Sequence, residues 1–239
     1  MPSPLQQARQ TDPYLRWEPH AQEYRQVVVD GDHVGWTHAG RTPGEVWATV
    51  LGEDVVRVVA VLEALDVVDR YDGITVHDAV HSRLPEWFRM PEFGHWSFWI
   101  LEATDLPRNH RATALSMDDP RIAPLLGHST SAEYFPGDPR IVRWFGVVED
   151  GELLSVAGQL HGVDASAWIV SVCTHPDARG RGLAADPCTA VIEAAEADGA
   201  PAVWLEMYAQ NESARRLYRR LGFREAGRYC SGFRPRVTA

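Results

Sequence analysis

The sequence of 239 residues contains no lysine, since all 23 of its basic residues are arginines. This absence excludes Schiff-base chemistry and any mechanism with a lysine nucleophile. Aspartate and glutamate number 33 and give a formal net charge of −10. A nucleic acid is therefore not expected as a partner, because its phosphates bind to basic protein faces. An acidic surface suits a cationic ligand, although it serves solubility equally well.

Cysteine and long apolar runs are also scarce. The three cysteines, Cys173, Cys188 and Cys230, form neither an even set for disulfides nor a Cys-x-x-Cys metal motif. No apolar run approaches the roughly 20 residues of a membrane span. The start, Met1-Pro2-Ser3-Pro4, lacks the basic and apolar regions of a signal peptide. We therefore expect a cytoplasmic protein with reduced thiols, no bound metal and no membrane partner.

The hydrophobic content of 45% and the nine tryptophans predict a globular protein. Its length allows one large domain or two small ones. The segment Leu106-Pro107-Arg108-Asn109 interrupts the pattern of helices and strands. We place a boundary there, which divides the chain into domains of residues 1–106 and 107–239.

The first domain has the pattern of a small α+β unit. Residues 27–36 have two apolar arms around Asp30-Gly31 and predict a hairpin. The spacing of valines and leucines over 43–65 predicts a helix that is interrupted near Gly52. Residues 74–80 and 96–101 are predicted strands.

The sequence pattern of the second domain predicts a mixed, mostly antiparallel, twisted sheet flanked by helices, which is an α/β (α+β) fold. Two helices, at 118–126 and 129–135, precede a hairpin on Asp150-Gly151. The later elements are a strand at 165–173, a helix at 183–198, a strand at 202–207, a helix after Asn211 and one or two strands in 223–233.

A glycine-rich turn joins the strand that ends at Cys173 to the helix that begins near Leu183. The amides at a helix N-terminus point one way, and the helix dipole favours negative charge there. Gly180 and Gly182 let that backbone approach a ligand closely, because they lack a Cβ atom. The turn therefore predicts a site for phosphate oxygens.

Two motifs sharpen this prediction. Arg179-x-x-Gly182-x-Ala184 fits the pattern Arg/Gln-x-x-Gly-x-Gly/Ala, and Asn211, Ala214, Tyr218 and Leu221-Gly222-Phe223 follow after the next strand. Over about residues 110–232 the chain resembles the GNAT superfamily of acetyl-CoA-dependent N-acetyltransferases. For residues 1–106 the resemblance is compatible with a degenerate GNAT-like half that lacks the phosphate loop.

The resemblance implies acetyl-CoA as cosubstrate and transfer of its acetyl group directly to a primary amine of a small molecule or peptide. It implies Tyr218 as the general acid that meets the thioester sulfur. It further implies cofactor contacts from Val172, Cys173, Thr174, Arg179, Gly180, Arg181, Gly182, Leu183, Ala184 and Asn211. The chain would act as a monomer or a homodimer.

The sequence does not decide which group acts as the general base. No carboxylate lies on the strand at 165–173, and Glu206 on the next strand is the nearest candidate, with a water chain as the alternative. Pro187 lies early in the helix after the glycine-rich turn. Proline fits the first turn of a helix and kinks a later one, so the start of that helix decides whether Pro187 disturbs the cofactor site.

Two other functions fit parts of the sequence. A GNAT fold without an obvious base could bind acyl-CoA as a sensor without turning it over. Gly180-x-Gly182-x-x-Ala185 also fits the dinucleotide fingerprint, with Glu206 as the residue that binds a ribose. Only about thirty residues follow Glu206, too few for the remaining strands of a doubly wound sheet.

Overall fold

The computed structural model describes residues 8, 12–17, 24–40, 43–65, 71–102 and 109–233. Contacts divide the chain into two units. Unit 1 holds the described residues up to Phe98, Met207–Asn211 and the described residues from Glu225 on, and unit 2 holds the described residues of Trp99–Glu206 and Glu212–Arg224. The boundary predicted between residues 106 and 107 lies outside the described residues, and this division into domains stays a prediction.

The helices and strands follow in this order: α1 Pro13–Trp17, β1 Gln26–Asp30, β2 His33–Ala39, β3 Val46–Leu51, α2 Val55–Ala64, β4 Gly73–His77, α3 Asp78–His81, β5 Glu92–Glu102, β6 Thr113–Leu115, α4 Ile122–Leu126, β7 Ile141–Glu149, β8 Glu152–His161, β9 Ala167–Thr174, α5 Ala185–Ala197, β10 Ala202–Tyr208, α6 Glu212–Arg220 and β11 Arg224–Phe233.

Unit 1 arranges its strands in the order β1-β2-β3-β4-β11-β5. The pairs β1/β2, β2/β3 and β4/β11 are antiparallel, and β3/β4 is parallel. The hairpin predicted at Asp30-Gly31 is confirmed, with Gly31 at φ 61°. The crossover between the parallel strands is α2, whose Val58, Val61 and Leu62 pack into the core of this unit.

The helix predicted over 43–65 is wrong in its first part, which forms β3. Its β-branched residues pair with β2, and this pairing overrides the helical spacing of the valines. Gly52, at φ 133°, ends the strand. Asp54 then caps α2, because its carboxylate accepts hydrogen bonds from the amides of Val56 and Arg57 at 2.9 and 3.3 Å. The strand predicted at 74–80 ends at His77, where α3 follows.

Unit 2 arranges its strands in the order β10-β9-β8-β7-β6. The pairs from β6 to β9 are antiparallel, and only β9/β10, which α5 connects, is parallel. This arrangement differs from the doubly wound parallel sheet of dinucleotide-binding proteins. The predicted fold class, a mixed and mostly antiparallel sheet flanked by helices, is confirmed.

The helix predicted at 129–135 is wrong, and no helix lies there. The main chain of Tyr134 instead forms two hydrogen bonds with the Ser171 side chain. The hydroxyl donates to the Tyr134 carbonyl at 2.8 Å, and the Tyr134 amide donates to the hydroxyl at 3.2 Å. These contacts tie the segment to β9, 37 residues along the chain, and replace helical hydrogen bonds.

No helix in the described part of the chain is long and apolar enough to cross a bilayer.

Candidate active site

An extra residue interrupts β9 where it faces β8. Val156 pairs with Cys173 and Gly158 pairs with Val170, so two steps on β8 match three on β9. Ser171, in this interval, has a positive φ of 50°. Such a bulge kinks a strand and redirects its main chain. The kink lies directly before Val172, Cys173 and Thr174, the residues predicted to contact the cofactor arm.

The pairing between β9 and β10 ends early. Only Ala167 with Val203 and Trp168 with Trp204 are in register, and the two tryptophan rings stack at 4.4 Å. Beyond these pairs, β9 has no partner in β10 among the described residues. The main chain of Val172–Thr174 therefore has no partner in β10, and the hydrogen bond that the Thr174 carbonyl accepts from Arg179 leaves Val172 and Cys173 to pair with an extended ligand.

The polar side chains of Cys173 and Thr174 are engaged elsewhere. The buried Cys173 thiol donates to the Leu125 carbonyl at 3.2 Å, and the Thr174 hydroxyl lies 3.0 Å from the Ser155 hydroxyl. Burial raises the pKa of the Cys173 thiol. Polar contacts of this stretch with a ligand therefore fall to its main chain.

The predicted phosphate loop lies between β9 and α5. Gly180 and Gly182 have φ values of +78° and +79°, which only glycine adopts without strain, and a Cβ on either would meet no heavy atom within 4 Å. Leu183 is buried and anchors the loop in the core with Ala178 and Ala190. Among the described residues, the five amides of residues 180–184 form no hydrogen bond. The loop thus holds five amides without a partner among the described residues, beside two glycines whose Cβ positions are open.

Helix α5 begins at Ala185, two residues later than predicted. Pro187 is therefore its third residue and lies in the first turn, where proline is tolerated. The amides of Ala185 and Asp186 donate to the carbonyls of Gly182 and Leu183, both at 3.2 Å. Pro187 consequently leaves the loop before it undisturbed.

The two arginines of the loop already have protein partners. Arg179 donates to the carbonyls of Thr174 and His128, both at 3.3 Å. Arg181 donates from Nη2 to the two carboxylate oxygens of Glu149 at 2.9 and 2.6 Å. Both guanidinium groups are thus partly engaged, whereas the amides of residues 180–184 have no partner among the described residues.

Tyr218 lies on α6 in a buried environment, with its ring edge-on to Phe223 at 5.7 Å. Burial raises the pKa of its phenol well above the ordinary value of 10.0, and the neighbouring Cys188 raises it further. Cys188 is the fourth residue of α5, so Tyr218 lies near the first turn of the helix that follows the loop. The phenol consequently keeps its proton at neutral pH.

The two remaining predicted residues, Glu206 and Asn211, lie between α5 and α6 in the chain. Glu206 is half-buried on β10. Asn211 directly precedes α6, and its amide donates to the Tyr208 carbonyl at 3.0 Å within unit 1. In the described ranges no group of histidine, cysteine, aspartate or glutamate side chains could hold a metal ion.

Sequence reasoning missed the charged residues around the loop. Asp186, in the first turn of α5, is paired with Arg111, and Arg111 also lies near Glu149. Arg111 is 75 residues from Asp186 in the chain and belongs to no motif. Charge patterning within the motif could have drawn attention to Asp186, but its partner depends on the fold.

The buried thiols allow a direct test of the packing near Tyr218. Burial raises the pKa of Cys188 and of Cys230 from 9.0 to about 12. At pH 8 the thiolate fraction then falls from about a tenth to about one ten-thousandth, and alkylation slows by about a thousandfold because the thiolate is the nucleophile. We expect iodoacetamide to leave both residues unmodified in the folded protein and to modify them in urea, as measured by peptide mass spectrometry. Rapid modification of Cys188 in the native protein would contradict its burial.

Comparison with known proteins agrees with this geometry. Residues 109–223 match the sequence model of the acetyltransferase (GNAT) family. A GNAT-family protein from Novosphingobium aromaticivorans is 24% identical, with a TM-score of 0.54 over 87% of this chain and 92% of that chain. A GCN5-related N-acetyltransferase from Kribbella flavida is 17% identical, with a TM-score of 0.57 over 91% and 92% of the two chains. No curated protein matches the chain. Residues 109–223 thus form a domain of the acetyltransferase (GNAT) family, and the protein is an acyltransferase.

Proposed function

We propose that the chain transfers an acetyl group from acetyl-CoA to a primary amine of a small molecule or peptide. The amine nitrogen attacks the thioester carbonyl directly, so that a C–N bond forms, the C–S bond breaks and CoA leaves as a thiol. Two protons must move in this reaction. The amine loses one, and the departing sulfur gains one.

The observation that supports this proposal best is the row of amides from residues 180–184. They have no partner in the described part of the chain, they precede a helix of 13 residues, and Gly180 and Gly182 leave open space above them. Amides at a helix N-terminus bind phosphate oxygens, and the helix dipole adds to the attraction. The loop therefore suits the diphosphate of acetyl-CoA.

The bulged end of β9 suits the pantetheine arm. Its main chain at Val172–Thr174 is released from β10, and an extended ligand with amide groups can pair there as a strand would. The arm and the diphosphate then bind to consecutive parts of the chain, since the loop directly follows β9. This order suits a ligand that is itself linear.

Tyr218 suits the donation of a proton to the sulfur. Its raised pKa keeps the phenol protonated, and its proximity to Cys188 places it near the first turn of α5. Glu206 is the candidate base that takes the amine's proton, directly or through a water chain.

The net charge of −10 favours a cationic acetyl acceptor such as a protonated amine. The cysteines are free thiols, in keeping with a reducing compartment, and we place the protein in the cytoplasm.

A screen of amine acceptors tests the proposed reaction. The protein is incubated with acetyl-CoA and a panel of small primary amines and peptides, and free CoA is measured with a thiol reagent. We expect at least one amine to release CoA well above the rate without acceptor, with one acetyl group gained by that amine in its mass. NAD in place of acetyl-CoA should neither bind nor react. If acetyl-CoA binds tightly but no amine is acetylated, the reaction is wrong, and a sensor of acyl-CoA fits better.

We also propose that the N-terminal part is a degenerate GNAT-like half. The succession β1-β2-β3-α2-β4 in unit 1 has the same order and strand directions as β7-β8-β9-α5-β10 in unit 2. Only three residues, Gly52-Glu53-Asp54, join β3 to α2, and the Asp54 carboxylate accepts hydrogen bonds from the amides of Val56 and Arg57. A phosphate group would meet the negative charges of Glu53 and Asp54 there and would compete with Asp54 for these amides.

A further inference from the structure

A chain of four alternating charges borders the phosphate loop. Asp186, whose side chain is 14% exposed, accepts hydrogen bonds at Oδ2 from Nε and Nη2 of Arg111, at 3.0 and 2.9 Å. Arg111 Nη1 lies 3.5 Å from Oε1 of Glu149, the last residue of β7. Glu149 in turn accepts from Arg181 within the loop. Among the described residues, Arg111 is the only cation within ion-pair distance of Asp186.

The position of Asp186 creates a conflict with a phosphate ligand. Its carboxylate lies in the first turn of α5, where the helix dipole attracts one negative charge. The diphosphate of acetyl-CoA would bind to the amides directly before this turn. Two anions at one helix end repel each other, and the repulsion is strongest at low ionic strength.

We propose that Arg111 is a positioning residue for acetyl-CoA. It neutralises Asp186, so that the phosphate loop can accept a diphosphate beside an acidic helix terminus. This inference rests on the proposed function, since it concerns the same loop. Arg111 acts through Asp186 and need not touch the ligand.

Four proteins compared by calorimetry test this role: the wild type, Arg111→Gln, Asp186→Asn and the double variant. The probe is acetyl-CoA. We expect Arg111→Gln to weaken binding about tenfold, because it leaves one uncompensated charge near the diphosphate. Asp186→Asn alone should stay within about threefold of the wild type. The double variant should return to within about threefold as well, because the charge that Arg111 neutralises has then been removed.

Salt provides a second measure that a purely structural role would not change. The loss of affinity for acetyl-CoA caused by Arg111→Gln should become smaller between 50 and 500 mM NaCl, since the repulsion is electrostatic. The melting temperature of each free variant shows whether it folds as the wild type does.

Arg143 offers a matched control. It pairs with Asp198 at 2.9 Å, just beyond the other end of α5. A helix of 13 residues is about 20 Å long, which is about twice the screening length at physiological ionic strength. Arg143→Gln removes the same charge and leaves Asp198, whose side chain is 46% exposed, without this partner, and we expect it to leave the affinity for acetyl-CoA unchanged.

Two results would overturn the role of Arg111. One is an affinity of Arg111→Gln equal to that of the wild type. The other is a double variant as weak as Arg111→Gln, since Arg111 would then bind the ligand itself. Both presuppose that the wild-type protein binds acetyl-CoA. A wild type that does not bind would instead contradict the proposed function.

Discussion

Replacing Tyr218 with phenylalanine is expected to reduce acetyl transfer by about a hundredfold or more while acetyl-CoA still binds. The variant keeps the buried ring that packs against Phe223 and removes only the hydroxyl. Without that hydroxyl the sulfur would leave as an unprotonated thiolate, which is a poorer leaving group. The measurement is kcat with an amine found by the acceptor screen, together with the Kd of acetyl-CoA.

A second variant, Phe223→Leu, distinguishes the effect of the Tyr218 hydroxyl from the effect of the packing of its ring. This variant disturbs the ring contact but keeps the phenol, so it should lower the melting temperature more than Tyr218→Phe and reduce kcat less. Tyr218 acts as the general acid if Tyr218→Phe has the lower kcat of the two variants. If the phenylalanine variant at position 218 is as fast as the wild type, Tyr218 is a core residue without a part in the chemistry.

The direction of the Tyr218 pKa also predicts the pH dependence. An acid must hold its proton to donate it, and burial raises the pKa of this phenol well above 10.0. Activity should therefore not decline between pH 8 and 10 through ionisation of Tyr218. An alkaline loss centred near pH 9 that disappears in Tyr218→Phe would contradict the raised pKa.

The parts of the fold that the sequence predicts well are those decided by neighbouring residues. The hairpins at Asp30-Gly31 and Asp150-Gly151 form because these short segments adopt positive φ, with Gly31 at 61° and Gly151 at 86°. Both hairpins are present as predicted. The glycine-rich loop is equally local, and the open space around Gly182 agrees with the reason given for glycine there.

The parts that sequence reasoning missed depend on distant partners. The valines of β3 fit a helical spacing as well as a strand, and only the pairing with β2 favours the strand. The segment at 129–135 is a predicted helix too, yet the main chain of Tyr134 is bound by Ser171. The strand β6 is only three residues long, and it forms because β7 offers it an edge. No local pattern contains these interactions.

The residues of the candidate site also fall into two groups, those that the sequence predicts and those that it does not. The loop glycines and Tyr218 are recognisable from motif spacing, because their roles depend on backbone conformation and on position in a helix. The charges around them are not recognisable, because Arg111 reaches Asp186 across 75 residues and Glu149 reaches Arg181 across 32. A motif thus points to the donors of the proposed phosphate site, while the fold determines the electrostatic environment around them.

Replacing Gly182 with valine is expected to abolish the stabilisation of the protein by acetyl-CoA. At a concentration of about 100 Kd, a ligand that binds only the folded state stabilises it by about 2.7 kcal/mol. For a chain of this length that corresponds to a rise of about 5–10 °C in melting temperature. A side chain at Gly182 would fill the open space that the diphosphate needs, and the positive φ of +79° would strain the loop. The measurement is the melting temperature with and without acetyl-CoA.

Gly199→Val is the matched control, because Gly199 has nearly the same φ of +77° and equally open surroundings, and it lies after the other end of α5. Both variants should lose a similar amount of stability in the absence of ligand, about 1–2 kcal/mol for a side chain in the left-handed region. Only Gly182→Val should lose the response to acetyl-CoA, because only Gly182 borders the free amides of residues 180–184. If Gly182→Val responds to acetyl-CoA as strongly as Gly199→Val does, the loop is not the phosphate site, and the diphosphate must bind elsewhere on the chain.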